Sequence, residues 1–554
     1  QQVVKNNILS SEQTITRKIS ELFGAIELEK LYSKSQIMEM YLNSNFYGSD
    51  CYGIEAACEY YFGCTADDVT WAQAATLIGI SNAPTRYNPE SNYDKCLEKR
   101  NMVLNIFKEQ GLITEVEYEM ALNEDLELYL VREQSEIEIT YEYTYALNCA
   151  VEELMQYEGF EFKYLFNDED EENAYNSAYN EKYKECKDKI LYGGYKVYTS
   201  INKEKQDLLQ NSIDEGMSKY KEINEDTGIY ARQSAGVCVD NQNNYIIAIV
   251  GGRTGSGEYN RAYQAARQPG SSIKPVLDYA TSFNKGSTPS TIIKDSPLEG
   301  DYSPKNWTGG YAGNISIRKA IFGSVNTTAA KALREVGIDY GLSCLSKMRF
   351  SHISWQDNNN LAISIGGFTN GVTVVEMTKA YNTMYNDGLY SDKTCIKRMV
   401  DKKGNAIRED IDKYTEVYDS ASSYMITSCM QDNFDVAGGF VTKNKIENMD
   451  CAGKTGTTNS NKDAYFCGYT PYYTCSIWIG FDNPQEMSIG SEVSADIWQL
   501  YMEQIHADLE PKKFIMPNTV EECYVDWQGK AVEYNSGKKD LFRKENITFD
   551  NCSD

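Results

Sequence analysis

Two apolar runs of strand type, at 235–240 and 245–250, stand on either side of the polar turn 241–244. Two more, at 464–470 and 474–480, flank Pro471-Tyr-Tyr473 more than two hundred residues later. Each pair has the signature of an antiparallel hairpin. Between them, from 275 to about 390, the apolar period becomes helical. Strands, then helices, then strands of the same sheet predict an α+β sandwich, an antiparallel sheet flanked by helices. Tyr195-Lys-Val-Tyr-Thr-Ser200 adds a strand-like approach, followed by a helix around 202–220.

At 554 residues the chain holds more than one domain. Residues 1–125 read as all-helical. Leu22, Ala25 and Ile26 recur at helical spacing, as do Leu28, Leu31 and Tyr32, then Ile37, Met40 and Tyr41. Gly48, Gly53, Gly63, Pro84 and Pro89 punctuate them. Residues 126–195 are rich in Tyr and Glu, and the acidic run Asp168-Glu-Asp-Glu-Glu172 reads as solvated. The expected organisation is 1–125, a linker or insert at 126–231, a main domain at 232–510 and an extension at 511–554.

The chemistry starts at Arg267-Gln-Pro-Gly-Ser-Ser-Ile-Lys-Pro275. Pro269 and Gly270 end what precedes, and the run after them reads as a helix, with Ser271 at its start and Lys274 one turn on. A serine hydroxyl needs a base to become a nucleophile. A partly desolvated lysine near the positive helix end has its ammonium form disfavoured and becomes such a base. Taken alone, the pair reads equally as a helix N-cap with a surface lysine. Composition narrows the choice. With two histidines, His352 and His506, a Ser-His-Asp triad or a His-rich metal site has little material. The net charge of −27 argues against a nucleic-acid partner. The 15 cysteines show no Cys-x-x-Cys pair and read as scattered core thiols.

Two further clusters join this one. Gly323-Ser-Val-Asn-Thr-Thr328 offers Ser324 and Asn326 in a loop between helices, and Gly453-Lys-Thr-Gly-Thr-Thr458 lies just ahead of a strand pair. Singly they read as a helix cap and a turn. In this order they form the Ser-x-x-Lys, Ser-x-Asn and Lys-Thr-Gly set of penicillin-recognising serine enzymes. Ser271 Oγ attacks a carbonyl and Lys274 accepts its proton. Ser324 relays the proton to the leaving amine, and Asn326 hydrogen-bonds the substrate amide. Lys454, Thr455 and Thr457 meet a substrate carboxylate. Gly456 lets the backbone come close to the substrate. The N–H groups of Ser271 and Thr457 form the oxyanion hole.

Residues 232–510 resemble the transpeptidase domain of class A penicillin-binding proteins. The resemblance rests on Val250-Gly-Gly-Arg253, the 267–275 stretch, Gly366-Gly-Phe-Thr-Asn-Gly-Val-Thr373, Ala452-Gly-Lys-Thr-Gly-Thr-Thr-Asn459 and Lys462-Asp-Ala-Tyr-Phe-Cys-Gly-Tyr-Thr-Pro471. It implies acyl transfer: a stem-peptide D-alanine acylates the serine, terminal D-alanine leaves, and an amine of a neighbouring stem attacks. β-Lactams acylate the same serine. No cofactor is implied for this step.

Residues 1–125 resemble the later part of a lysozyme-like, family 51 peptidoglycan glycosyltransferase domain. The matching stretches are Arg17-Lys-Ile-Ser-Glu21, Lys34-Ser-Gln-Ile-Met-Glu-Met-Tyr-Leu-Asn43, Cys51-Tyr-Gly-Ile-Glu-Ala-Ala57, Ala83-Pro-Thr-Arg-Tyr-Asn-Pro89 and Arg100-Asn-Met-Val-Leu104. The resemblance implies that Glu21 is the second acidic residue. It places Lys5, Arg17 and Lys18 near a lipid pyrophosphate and admits a divalent metal in this half. Gln1-Gln2 matches the tail of a motif whose catalytic glutamate would lie upstream, and Gln13 stands where the family often has Arg.

The implied partners are peptidoglycan stem peptides, lipid II and β-lactams, with proteins of cell-wall synthesis and division. The implied location is the extracytoplasmic face of a bacterial membrane, held by an upstream helix. A β-lactamase, a D,D-carboxypeptidase and a non-catalytic β-lactam sensor or scaffold are the competing readings. The chain starts without Met and is expected to be a fragment. It is accordingly expected to be acylated by penicillin and not to polymerise lipid II. Glycan chains made from lipid II by this chain would overturn the second expectation.

Overall fold

The structure, a computed structural model, describes residues 3, 15–49, 51–130, 139–225, 227–254, 257, 259–300, 302–458 and 461–547. It divides into two compact units, Gln1–Glu138 and Ile139–Asp554.

The described part of the first unit is built of helices, the principal ones being Ile15–Leu31, Lys34–Ser44, Ile54–Phe62, Trp71–Asn82, Tyr93–Glu109 and Glu115–Leu122. Capping boxes start three of them: Ser33 with Gln36, Thr70 with Gln73, and Thr114 with Glu117. Each satisfies two backbone donors that the first turn leaves free. Small residues let Trp71–Asn82 and Tyr93–Glu109 come together, burying Ala72, Ala75, Val103 and Leu104. The helical period around Leu22 marks a helix as expected. Its apolar residues are not core, however: Leu22, Ile26 and Leu31 are 48%, 44% and 73% exposed.

The second unit is organised on a five-stranded antiparallel sheet. Its strands are β1 (Arg232–Asp240), β2 (Ile246–Val250), β3 (Ala452–Thr457), β4 (Asp463–Tyr469) and β5 (Tyr473–Phe481), in the order β3-β4-β5-β1-β2. The chain thus returns after the helical section to complete the sheet it began, pairing Tyr473 through Phe481 of β5 against Asp240 through Arg232 of β1. Side chains alternate between two cores. Tyr465, Cys467 and Tyr469 join the core formed with Ile273, Val276, Met377 and Tyr381, while Ala464 and Phe466 join Leu209, Ile213, Trp498 and Tyr501. The helices Lys203–Gly216 and Ser491–His506 therefore cover one face. The helical run from Gly270, with Val374–Tyr385 and Ser420–Asp435, covers the other. This is the α+β arrangement expected. The Lys-Thr-Gly stretch, expected just ahead of a strand pair, is itself the edge strand β3.

The region 126–231, expected as a linker or insert, is folded structure over most of its length. From Ile139 the chain belongs to the second unit, and Tyr145, Cys149, Val151, Leu154 and Cys186 enter its main core. The acidic run is solvated at Asp168, Glu169 and Asp170, as expected, and it is also a helix start. Asp168 caps the helix Glu169–Tyr192, whose first turn is wholly acidic and complements the helix dipole. Glu172 also accepts hydrogen bonds from Ser354 Oγ and the Trp355 N–H, both at 2.9 Å. The extension forms a three-stranded sheet from Val520–Val525, Ala531–Val532 and Lys539–Arg543. All the described cysteines but Cys64 are buried.

Glycines allow β3 to touch the start of the helical run. A Cβ on Gly456 would lie 2.3 Å from Pro269 O and 2.8 Å from Ser272 Oγ. One on Gly270, whose φ is +54°, would lie 2.7 Å from Thr457 O. Overpacking of this kind costs about 1–3 kcal/mol. Gly456→Ala and Gly270→Ala are therefore each expected to lower stability to thermal or urea denaturation. Unchanged midpoints in both would overturn this account of the contact.

Candidate active site

The Ser-x-x-Lys stretch does not start a regular α-helix. Gly270–Ile273 is a 3₁₀ turn, Pro275–Tyr279 is π-helical, and only Ala280–Asn284 is α-helical. The Lys274 N–H donates to Ser271 O and closes the 3₁₀ turn. Side chains three apart eclipse in 3₁₀ geometry, which puts Lys274 and Ser271 on the same side of the turn. The two serines have different environments. Ser272 is fully buried, and its hydroxyl donates to Pro269 O at 2.7 Å. Ser271 is partly exposed. The hydroxyl left open to a substrate is therefore that of Ser271.

Lys274 is 1% exposed. Its Nζ donates to Ser324 O at 2.8 Å and to Asn326 Oδ1 at 2.6 Å. Burial, helped by the nearby Lys454 ammonium, holds its proton affinity well below that of an ordinary lysine. A neutral amine has two hydrogens and one lone pair. The two oxygens take the hydrogens, and the lone pair remains for a proton.

Ser324 has a left-handed backbone, φ +51°, just past the short helix Ile317–Phe322. Its N–H bonds back to Ile321 O, and its hydroxyl accepts from Lys454 Nζ at 3.0 Å. Asn326 opens the helix Asn326–Val336. Besides holding Lys274, it donates through Nδ2 to Lys305 O at 2.7 Å. Its amide thus touches both the base and the 305 loop, with a second Nδ2 hydrogen beyond these two contacts. Lys454 is 1% exposed on the edge strand, and burial lowers it to about 7. Thr455 lies beside it, and Thr457 Oγ1 shares a hydrogen bond with Ser491 Oγ. Gly456 brings the backbone close as expected, but against the protein's own Pro269 and Ser272.

Ser271, Lys274, Ser324, Asn326, Lys454, Thr455, Gly456 and Thr457 are thus gathered at one edge of the sheet. The sequence reading missed their supports. The helix bearing Asn326 starts at Val325, which has no capping side chain. Asn306 Oδ1 instead accepts the N–H groups of Asn326 and Thr327, and Asn306 is itself fixed by Asp295 Oδ1 at 2.8 Å. Nothing in local spacing joins 295 and 306 to 326. Among the first unit's expected residues, Lys5 lies outside the described residues. Arg17 and Glu21 lie in the helix Ile15–Leu31, but their side chains are outside the description; Lys18 is exposed. Among the described residues, no group of three or more His, Cys, Asp or Glu could hold a metal ion, and no helix is long and apolar enough to cross a membrane.

Comparison with known proteins agrees with this architecture. A transglycosylase family model matches residues 1–108, and the penicillin binding protein transpeptidase domain matches 234–503. Penicillin-binding protein 1A of Clostridium botulinum is 30% identical over 550 residues, covering 95% of this chain and 64% of the relative. The chain thus spans under two thirds of that relative's length. Penicillin-binding protein 4 of Bacillus subtilis is 30% identical over 508 residues, covering 90% of this chain and 78% of the relative. The crystal structure of penicillin-binding protein 1A from Haemophilus influenzae shares the fold, with a TM-score of 0.64 at 22% identity, covering 93% of this chain and 92% of that one.

Lys454 makes a testable contribution to pH dependence. In the unfolded chain it keeps its proton up to its ordinary value of 10.5, whereas in the folded protein it loses it near about 7. Between these values unfolding takes up a proton, so stability rises with pH across that window. Lys454→Met is expected to flatten that rise in denaturation curves from pH 7 to 10.5, the other buried lysines being common to both proteins. Parallel slopes in the two proteins would show that Lys454 is not held neutral.

Proposed function

This chain belongs to the class A penicillin-binding proteins, and we propose that it is a peptidoglycan synthase whose second unit cross-links stem peptides through an acyl-serine at Ser271. The observation that carries this reading is the buried Lys274 amine. It stands one 3₁₀ turn above a partly exposed serine, with both hydrogens engaged by Ser324 O and Asn326 Oδ1.

In the proposed reaction the Ser271 O–H bond breaks as Oγ joins the carbonyl carbon of the penultimate D-alanine, and Lys274 Nζ takes the proton. The N–H groups of Ser271 and Thr457 meet the developing oxyanion, a contribution of about 3–4 kcal/mol per donor in comparable sites. The close approach of Gly270 to the Thr457 backbone supports this pairing. The C–N bond to terminal D-alanine then breaks. Ser324, whose oxygen is occupied by Lys454, delivers a proton to the leaving nitrogen and is refilled from the lysines. The terminal carboxylate lies against Lys454, Thr455 and Thr457. With Lys454 held near about 7, the arriving carboxylate supplies the counter-charge that keeps its proton on. An amine of a second stem releases the acyl group, and a β-lactam enters by the same first step. This chemistry uses no cofactor. The first unit is proposed to belong to the lipid II polymerising half of the whole protein, working at the extracytoplasmic face of the membrane.

The test is labelling with a fluorescent penicillin. Wild type and Ser272→Ala are expected to take the label and Ser271→Ala to take none, with release from wild type slower than a β-lactamase would allow. Label retained by Ser271→Ala, or no label on wild type, would sink the assignment.

A further inference from the structure

A cavity separate from the Ser271 turn opens in the same unit. It encloses about 620 Å³, and none of the residues gathered around Ser271 lines it. That is the size of an ordinary small-molecule site. It lies between the helices Tyr141–Tyr157 and Glu169–Tyr192 and the segments around 349, 376 and 392. Tyrosines form its walls. The rings of Tyr145 and Tyr263 stand 5.5 Å apart, and those of Tyr179 and Tyr183 stack at 5.8 Å. Gln156, Asn176 and Asn370 are exposed on the rim and leave it open to solvent.

Most charges on the lining are engaged within the protein. Glu153 and Asp392 each lie 3.3 Å from Arg408. Lys163 pairs with Glu171. Glu376 accepts from Ser351 Oγ at 2.9 Å and lies beside His352. Glu172 accepts from Ser354, and Lys379 Nζ donates to Asn244 O and Lys393 O. Two charges are left over. The Glu152 carboxylate accepts from the Tyr179 hydroxyl at 2.9 Å, but among the described residues no cation stands within ion-pair distance of it. The Arg349 guanidinium makes no hydrogen bond among the described residues. It has only a loose ion pair, 3.8 Å from Asp392, which Arg408 already shares. Opposite charges that line one cavity without closing on each other carry their desolvation cost uncompensated.

We propose that this tyrosine-walled cavity binds a zwitterionic amino acid or short peptide, its ammonium against Glu152 and its carboxylate against Arg349. The site stands apart from the acyl-serine reading.

The lining favours this class over simpler ions. A guanidinium takes a carboxylate through two parallel N–H donors. An ammonium at Glu152 also meets the faces of tyrosine rings, which attract cations. A plain amine leaves Arg349 unmatched, and a plain carboxylate leaves Glu152 unmatched; each also brings its charge into a cavity that holds a like one. Burial raises the Glu152 carboxyl above its usual range, and an arriving ammonium favours its ionised form.

The experiment is titration calorimetry on the whole chain with phenylalanine and alanyl-phenylalanine, which carry the same two charges at shorter and longer separation. Each is compared with its des-amino and des-carboxy form. At least one zwitterion is expected to bind, and to lose about tenfold or more in affinity when either charged group is removed. Arg349→Met is expected to abolish the preference over the des-carboxy form alone, and Glu152→Gln the preference over the des-amino form alone. A merely structural role for either residue would not sort the losses in this crossed way. The comparison among ligands needs no variant, so it decides even where a variant does not fold. Saturation with penicillin beforehand is expected to leave the titration unchanged. Affinity weaker than about 1 mM for both zwitterions, equal affinity for all forms, or competition by penicillin would overturn the proposal.

Discussion

The site depends on one backbone contact, that of the edge strand β3 with the turn that carries Ser271. Gly456 faces Pro269 O and Ser272, and Gly270 faces the Thr457 backbone. Gly366 reaches the same turn from the other side, where a Cβ would lie 2.4 Å from Gly270 N. Three glycines from distant stretches thus meet at the residue before Ser271. Only chains without Cβ atoms at these points can bring Lys454 within reach of Ser324 while keeping Lys274 under both. The contact also explains the 3₁₀ turn: the tighter winding aligns Ser271 with Lys274 and leaves Ser272 pointing inward.

Burial then generates the reactivity. Two lysines, each 1% exposed, face one another across Ser324. Among the described residues neither has an ion-pair partner of the kind that Arg261 finds in Asp482 at 2.5 Å. A buried ammonium without a counter-charge gives up its proton rather than bear the desolvation cost. The chain therefore obtains readily deprotonated amines without histidine. Both its histidines are in structural use: His506 shares a hydrogen bond with Thr470 at 2.8 Å, and His352 lies 3.5 Å from Glu376.

The sequence made the sheet legible because its strands alternate, and the structure divides those alternating residues between two cores. The candidate site residues were legible because three short motifs stand in a fixed order. What stayed hidden was non-local or depended on backbone detail. A 3₁₀-to-π transition leaves no trace in apolar periodicity. Asn306 caps a helix twenty residues away in sequence, so its role exists only once the loop has folded. The acidic run at 168–172 reads as solvated, and its first three residues are, but the docking of Glu172 onto Ser354 is non-local and leaves no mark in the run itself. The period around Leu22 announced a helix correctly but could not say whether its apolar face is covered.

The C-terminal sheet has a use that no motif suggested. Arg543 is 7% exposed and donates to Phe283 O at 2.8 Å, at the end of the helical run that begins beside Ser271. Carbonyls in a last helical turn lack partners within the helix, and a cation there satisfies one and complements the dipole. Arg543 also pairs with Asp419 at 2.6 Å, which caps the helix Ser420–Asp435. Arg318 joins Asp540 of the same sheet to Asp432 near that helix's far end. The run from Gly270 is thereby fixed at both ends, by glycine contacts at its start and by Arg543 at its finish. Between those anchors it can hold an irregular π turn, where Asp278 sits and where an unsupported helix would relax to the regular form.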